Sequence, residues 1–282
     1  MEQSRKAFLQ KAALGLAGTA AFSFTNTAEP AAGDAPPGNT LLPVGIAGYT
    51  FAKFDVGKSI AMMKRLNIHS LSLKDFHLPL DSDDATIKSV LSQFAAADIK
   101  IYTVGVIYMK TQDAVDKAFD YARRVGVDMI VGVPNYELLD YTEQKVKSTG
   151  IKIAIHNHGP EDQLYPGPQN VLDRIRGRDA RLGLCMDIGH ARRAGADLEK
   201  SIKEAGSRLF DLHIKDVNAI GREGKAIEIG HGIIDFPAVV KALYAIGYNG
   251  MCSIEYEKDM TDPLPGIAES IGFFKGVVAA VA

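Results

Sequence analysis

Tryptophan is absent from this chain and cysteine occurs only 2 times. Without indole, any aromatic platform for a ring-shaped ligand has to be built from tyrosine or phenylalanine. The pair Cys185 and Cys252 is too small for a disulfide framework. Both stand inside apolar, strand-like runs and read as small buried hydrophobes. Excess charge is missing too: the formal net charge is −2 over 282 residues, which excludes the basic footprint of a nucleic-acid surface. No Gly-rich phosphate fingerprint follows the first strand-like run, as an open dinucleotide-binding sheet would require. No low-complexity segment interrupts the body of the chain.

The N-terminus is built differently from the rest. "MEQSRKAFLQKAALGLAGTAAFSF" has a short basic head followed by an Ala/Gly-rich apolar stretch. That order is the grammar of a secretory signal, and the stretch is too short and small-sided for a stable membrane anchor. "SRKAFLQK" resembles a twin-arginine export signal with Lys6 in place of the second arginine. Residues 1–28 are expected to be a removed signal segment and 29–42 a Pro/Gly/Ala linker, with the folded domain at 43–282. A periplasmic protein follows from that reading.

From Leu42 onward, short β-rich runs alternate with amphipathic segments. "KIYTVGVIYM" precedes "TQDAVDKAFDYARRVGV", and "LGLCMDIGH" precedes "DLEKSIKEAG". Counted through, there are 8 strand–helix units, which predicts an α/β fold, a single-domain (β/α)8 TIM barrel. Chemistry in such a barrel sits where strands end. His77, His156, His158, His190, His213 and His231 all fall at or beyond strand C-termini, and only His69 precedes its strand. Packing of single histidines does not explain such a cluster.

Four consecutive strand ends carry ligand-type side chains: His156, Asp187, His213 and Glu255. Each follows an inward-facing apolar run, where a lone charge would be costly. Two imidazoles and two carboxylates suit one divalent ion of the Mn, Co, Zn or Fe kind better than an oxygen-only Mg or Ca cage. The alternative is a set of buried ion pairs, Asp187 with Arg192 and Glu255 with Lys215.

The order "HNH", "MDIGH", "HIKD", "GHGIIDF" and "IEYE" resembles the sugar phosphate isomerase/epimerase family, the xylose-isomerase-like TIM barrels. The resemblance covers about Pro43 to Ala282. It implies one metal held at the ends of strands five to eight, where Asp187, His213 and Glu255 match the family's ligands. His156 stands where that family places a glutamate, and His190 where its histidine touches substrate oxygen. Family isomerases use two glutamates as an acid–base pair, so Glu255 alone remains here. Lys74, which follows Ser70 and Ser72 in period two, and His158 are expected to share the proton chemistry. Substrate contacts are expected from His190, His77, Tyr108, Glu137, Lys215 and His231, with rim aromatics such as Tyr49 and Phe76 flanking a sugar ring.

The expected function is that of an exported, metal-dependent sugar isomerase or epimerase. It would abstract a proton beside a carbonyl through a metal-stabilised enediolate. The first alternative is a 3-keto-glycoside lyase or hydrolase sharing that early step. The second is a non-catalytic sugar-binding barrel. An endonuclease-IV-like phosphodiesterase needs further ligands where Lys74, Thr103 and Val133 stand. The expected partner is a small carbohydrate, with no nucleic acid and no stable membrane anchor; homo-oligomerisation stays open.

Overall fold

The computed structural model describes residues 41–282; the signal-segment expectation and nearly all of the linker fall outside the described residues. The strands are β1 (Val44–Ala47), β2 (Ser70–Leu73), β3 (Lys100–Met109) and β4 (Met129–Pro134), then β5 (Lys152–His156), β6 (Leu182–Asp187), β7 (Leu209–Ile214) and β8 (Met251–Ile254). All are parallel to their neighbours. The sheet closes on itself where Val44 pairs with Cys252 and Ile46 with Ile254. The (β/α)8 barrel is therefore the architecture of the described residues.

The local reasons are visible in each strand. Parallel strands covered on both faces need near-continuous apolar runs, and "MIVGVP" of β4 and "LGLCMD" of β6 are buried at every position. The helices carry the opposite signature. Gln112–Val125 buries Val115, Ala118, Phe119 and Ala122 on one face. Thr111 caps its first turn by accepting from the Ala114 amide at 3.1 Å, and Gly126 ends it in the left-handed region. The last helix, Leu264–Val281, is long and apolar enough by composition to cross a membrane. It buries Ile267, Ile271, Phe274 and Val278, and packs against β8 and two neighbouring helices.

Two elements go beyond simple alternation. A six-residue helix, Ile188–Arg193, starts directly after β6 with Asp187 as its N-cap. After β7, Asp216–Val217 and Ala226–Ile227 form a short antiparallel ladder. The buried Asp216 carboxylate accepts from the amides of Gly230 and Gly232, both at 2.9 Å, and so shapes the "GHGI" loop. A Cβ on Gly232 would lie 2.2 Å from that carboxylate, which is why the position is glycine.

Candidate active site

β5, β6, β7 and β8 lie side by side, and His156, Asp187, His213 and Glu255 stand at or within one residue of their ends, all buried. His156 Nε2 lies 3.0 Å from His213 Nδ1 and 3.9 Å from Asp187 Oδ2, while His213 Nδ1 is 3.3 Å from Glu255 Oε2. One donor atom from each of the four residues fits within a 4.8 Å cluster, and all four residues are buried. Asn157, between the two histidines, does different work. Its amide donates to the Asp187 carbonyl at 3.0 Å and accepts from the Asp187 N–H at 3.1 Å, clamping β5 to β6.

Lys215, one residue past β7, lies beside this cluster and is almost fully buried. Its Nζ is 2.9 Å from Glu255 Oε2, 3.1 Å from Asp187 Oδ2 and 3.0 Å from Glu257 Oε2, with His190 Nε2 at 3.3 Å. The Glu255–Lys215 ion pair of the alternative reading is present. Asp187 takes Lys215 as well, not Arg192, whose guanidinium reaches the Ala196 carbonyl. Although close to Lys215, Asp187 Oδ2 has no aligned hydrogen-bond donor; its other oxygen accepts from the His190 amide at 2.7 Å.

The electrostatics follow from burial. Burial pushes the Asp187 carboxyl up to about 7 against the pull of Lys215. Burial opposes ionisation of Glu255 as well, but Lys215 and His213 outweigh it and hold that carboxyl well below its usual range. His156 is lowered well below the ordinary imidazole value by burial, then by its histidine neighbours. His213 goes the other way: burial opposes its charge, yet the Glu255 carboxylate beside it raises it. An anionic Cys185 would add to that rise, but burial pushes the Cys185 thiol up to about 12, so Glu255 is the operative charge. The carboxylates of Asp187, Glu255 and Glu257 against the Lys215 ammonium and a protonated His213 leave the centre at −1, and giving up the His213 proton, as a metal ligand must, takes it to −2. That negative surplus, an orphaned carboxylate oxygen and converging nitrogen and oxygen donors fit a divalent ion.

Above this floor opens a cavity of about 250 Å³. It is lined by His156, Glu255 and Glu257, by His158 and His190, and by Tyr49, Lys74, Val106 and Tyr108, with the Tyr108 ring stacked on His158. Its size is below the ~300 Å³ at which pockets for drug-sized ligands begin, which suits one sugar ring. A larger groove of about 990 Å³ lies between the outer helices around Asp84 and Arg124, but only solvated ion pairs and helix flanks line it. Lys74 Nζ donates to the Val106 carbonyl at 2.8 Å and pairs with Asp75 at 2.8 Å. His158 Nε2 is 2.9 Å from the Tyr108 hydroxyl, and its Nδ1 is 3.5 Å from Asp162 Oδ2. Burial lowers His158 below the ordinary imidazole value, with Asp162 pulling the other way.

Four expected substrate contacts do not line this cavity. His77 is buried against the Ser59 hydroxyl at 3.2 Å. Glu137 accepts from Asn135 at the surface, and His231 pairs with Glu269 at 2.6 Å. Lys215 is spent on the carboxylates of Asp187, Glu255 and Glu257 and is not among the cavity-lining residues. Glu257 was missed by the sequence reasoning, although its period-two spacing from Glu255 carried the signal. Asp162 and the clamp made by Asn157 carried none.

The family model described as "Xylose isomerase-like TIM barrel" matches residues 58–277. An uncharacterized protein of Methanocaldococcus jannaschii, MJ1311, is 32% identical over 126 residues, which are 43% of this chain and 42% of that protein. The chain thus spans less than half the length of the curated relatives it matches. Among solved structures, an IolI protein with a binding zinc atom superposes with a TM-score of 0.71 at 16% identity, over 86% of this chain and 99% of that one. A D-tagatose 3-epimerase-like protein gives 0.69 at 20% identity, over 85% and 98%. Likeness at these identities concerns the fold.

Proposed function

This chain belongs to the xylose isomerase-like TIM barrel family, and we propose that it is a metal-dependent enzyme acting at the carbon beside a sugar carbonyl, as an isomerase or epimerase. The observation that carries the reading is the convergence of His156, Asp187, His213 and Glu255 on the floor of a one-ring cavity. These four residues would hold one divalent ion, whose bound charge supplies Lewis acidity toward neighbouring substrate oxygens. Solved relatives of the same fold include an L-ribulose 3-epimerase and a D-psicose 3-epimerase, which supports a carbohydrate substrate.

Glu255 takes the proton from carbon in this reading. Lys215 keeps its carboxylate ionised, and the cavity presents it to the substrate. Lys74 lines the same cavity, its ammonium held by Val106 and Asp75, and in this reading donates to substrate oxygen. His158, held neutral by burial and hydrogen-bonded to Tyr108, serves in this reading as a second proton carrier. The enediolate formed on the substrate is then reprotonated, giving an isomer or epimer.

A second reading is favoured by one residue. His156 stands where a second acid–base carboxylate is expected, so returning a proton to carbon is less well served than removing it. Expulsion of a β-leaving group from the same enediolate needs no such return, which makes a 3-keto-glycoside lyase the alternative. Incubation of metal-loaded protein with a panel of free ketoses and 3-keto-glucosides, read by NMR, separates the two. Interconverted ketoses support the isomerase or epimerase, and released aglycone with an unsaturated ketosugar supports the lyase. No turnover of either class under any metal contradicts both.

Export is part of the proposal. Residues 1–28 would be the signal and the mature protein periplasmic, supported by the basic head, the Ala/Gly stretch and the linker composition. N-terminal sequencing of native protein is expected to start between residues 23 and 41. An intact Met1 in the cytosolic fraction overturns it.

A further inference from the structure

Two overlapping groups of ligand-type side chains share Glu255. The first is His156, Asp187, His213 and Glu255; the second is His190, Glu255 and Glu257, again with one atom from each within 4.8 Å of the others. The first has no hydrogen-bond donor aligned with Asp187 Oδ2. The second already surrounds a cation. Lys215 Nζ lies 2.9 Å from Glu255, 3.0 Å from Glu257 and 3.3 Å from His190 Nε2, and it extends to Asp187 at 3.1 Å.

The position of that ammonium is built by the fold. Its stem rises from the residue after β7 and runs against Gly189, where a Cβ would lie 2.8 Å from Lys215 Cγ and 3.0 Å from Cδ. The side chain is 2% exposed, so it has no freedom to swing into solvent. Its Nζ lies within 3.1 Å of three carboxylate oxygens, one each from Glu255, Glu257 and Asp187.

We propose that Lys215 is a built-in second cation, occupying from within the position at His190, Glu255 and Glu257 and limiting this centre to one divalent ion. The inference rests on the metal reading above and deepens it. Counting charges, three carboxylates, one ammonium and one divalent ion sum to zero. A second divalent ion beside Lys215 brings the buried group to +2, which desolvation opposes. Without the ammonium, one divalent ion leaves −1 and two leave +1, so the second position becomes open to metal. Lys215 is here a positioning residue: it holds Glu255 and Glu257 in place without touching the cavity.

The test is metal stoichiometry and location. Wild-type protein dialysed against Mn2+ is expected to hold about one equivalent. Lys215→Met, which keeps the stem and removes the charge, is expected to hold about two. The double variant Lys215→Met with Glu257→Gln is expected to return to one, because the second position loses a carboxylate. A Lys215→Met protein that folds and holds one equivalent overturns the inference. Crystals of the wild type soaked in excess Mn2+ provide a check that needs no variant. One anomalous peak between His156, Asp187, His213 and Glu255 supports it, and a second peak at His190, Glu255 and Glu257 overturns it. Absence of any peak in wild-type crystals, with no equivalent bound in solution, contradicts the metal reading itself and this inference with it.

Discussion

His156 and His158 both face the cavity, while Asn157 between them points back and ties two backbones together. The two imidazoles were legible because side chains alternate along a strand and because four strand ends in a row carried ligand chemistry. The partner of Asn157 is a backbone amide 30 residues away, and no spacing rule announces such a contact. At this scale the ligand assignment predicts that His156→Ala loses metal affinity by more than the ~10–100-fold that outer partners of a ligand are worth. Excess metal is expected to restore part of its turnover. Glu255→Gln, which loses both a ligand and the proton acceptor, is expected to stay inactive with metal restored. Titration of both variants by calorimetry beside turnover assays checks the pair. Asp211 makes a separate pH prediction. Burial, opposed by His213 and by the Tyr102 hydroxyl, holds its carboxyl up at about 6. An unfolded aspartate titrates near ~3.9, so the stability this group allows is complete below about pH 4 and lost as pH rises through 6. The loss is on the order of 3 kcal/mol. Asp211→Asn is therefore expected to be more stable than wild type at pH 8 and no more stable at pH 4, as read from denaturant midpoints.

Strands and helices were legible wherever an element was long enough to show a period. β4 and β6 announced themselves as continuous apolar runs, and Gln112–Val125 as a helix with one apolar face. The helix Ile188–Arg193 and the ladder Asp216–Val217 with Ala226–Ile227 were not legible, because six and two residues hold too little periodicity to read. These short elements nonetheless finish the site. The first makes Asp187 an N-cap and sets His190 beside the cavity, and the second follows directly on Lys215. The packing between that helix and β7 is tight at Gly189. Gly189→Ala is expected to cost ~1–3 kcal/mol, the usual range for overpacking a closed site. It is also expected to displace Lys215, seen as a lower denaturant midpoint together with weaker metal binding. A variant as stable as wild type with unchanged metal affinity would contradict the described contact.

At the scale of the whole molecule, alternation of strand and helix over the folded domain specified a closed barrel, and closure brought four distant strand ends to one rim. Which rim residues reach the cavity was not legible, since His77, Glu137 and His231 stand at comparable positions along the sequence yet pair elsewhere. A bound ion that joins four strands stabilises the folded state by mass action, by ~2.7 kcal/mol at 100 times its dissociation constant. Chelation is therefore expected to lower the melting temperature by roughly 5–10 °C for a domain of this size, measured by scanning calorimetry with and without chelator. The chemistry itself is tested most directly by hydrogen exchange at carbon. Metal-loaded protein is incubated in deuterated water with a ketose or 3-keto-glucoside that it turns over, and the carbon beside the carbonyl is followed by NMR. Deuterium at that carbon, or in the product derived from it, is the predicted result. Efficient turnover in which that C–H bond is never broken would contradict the account.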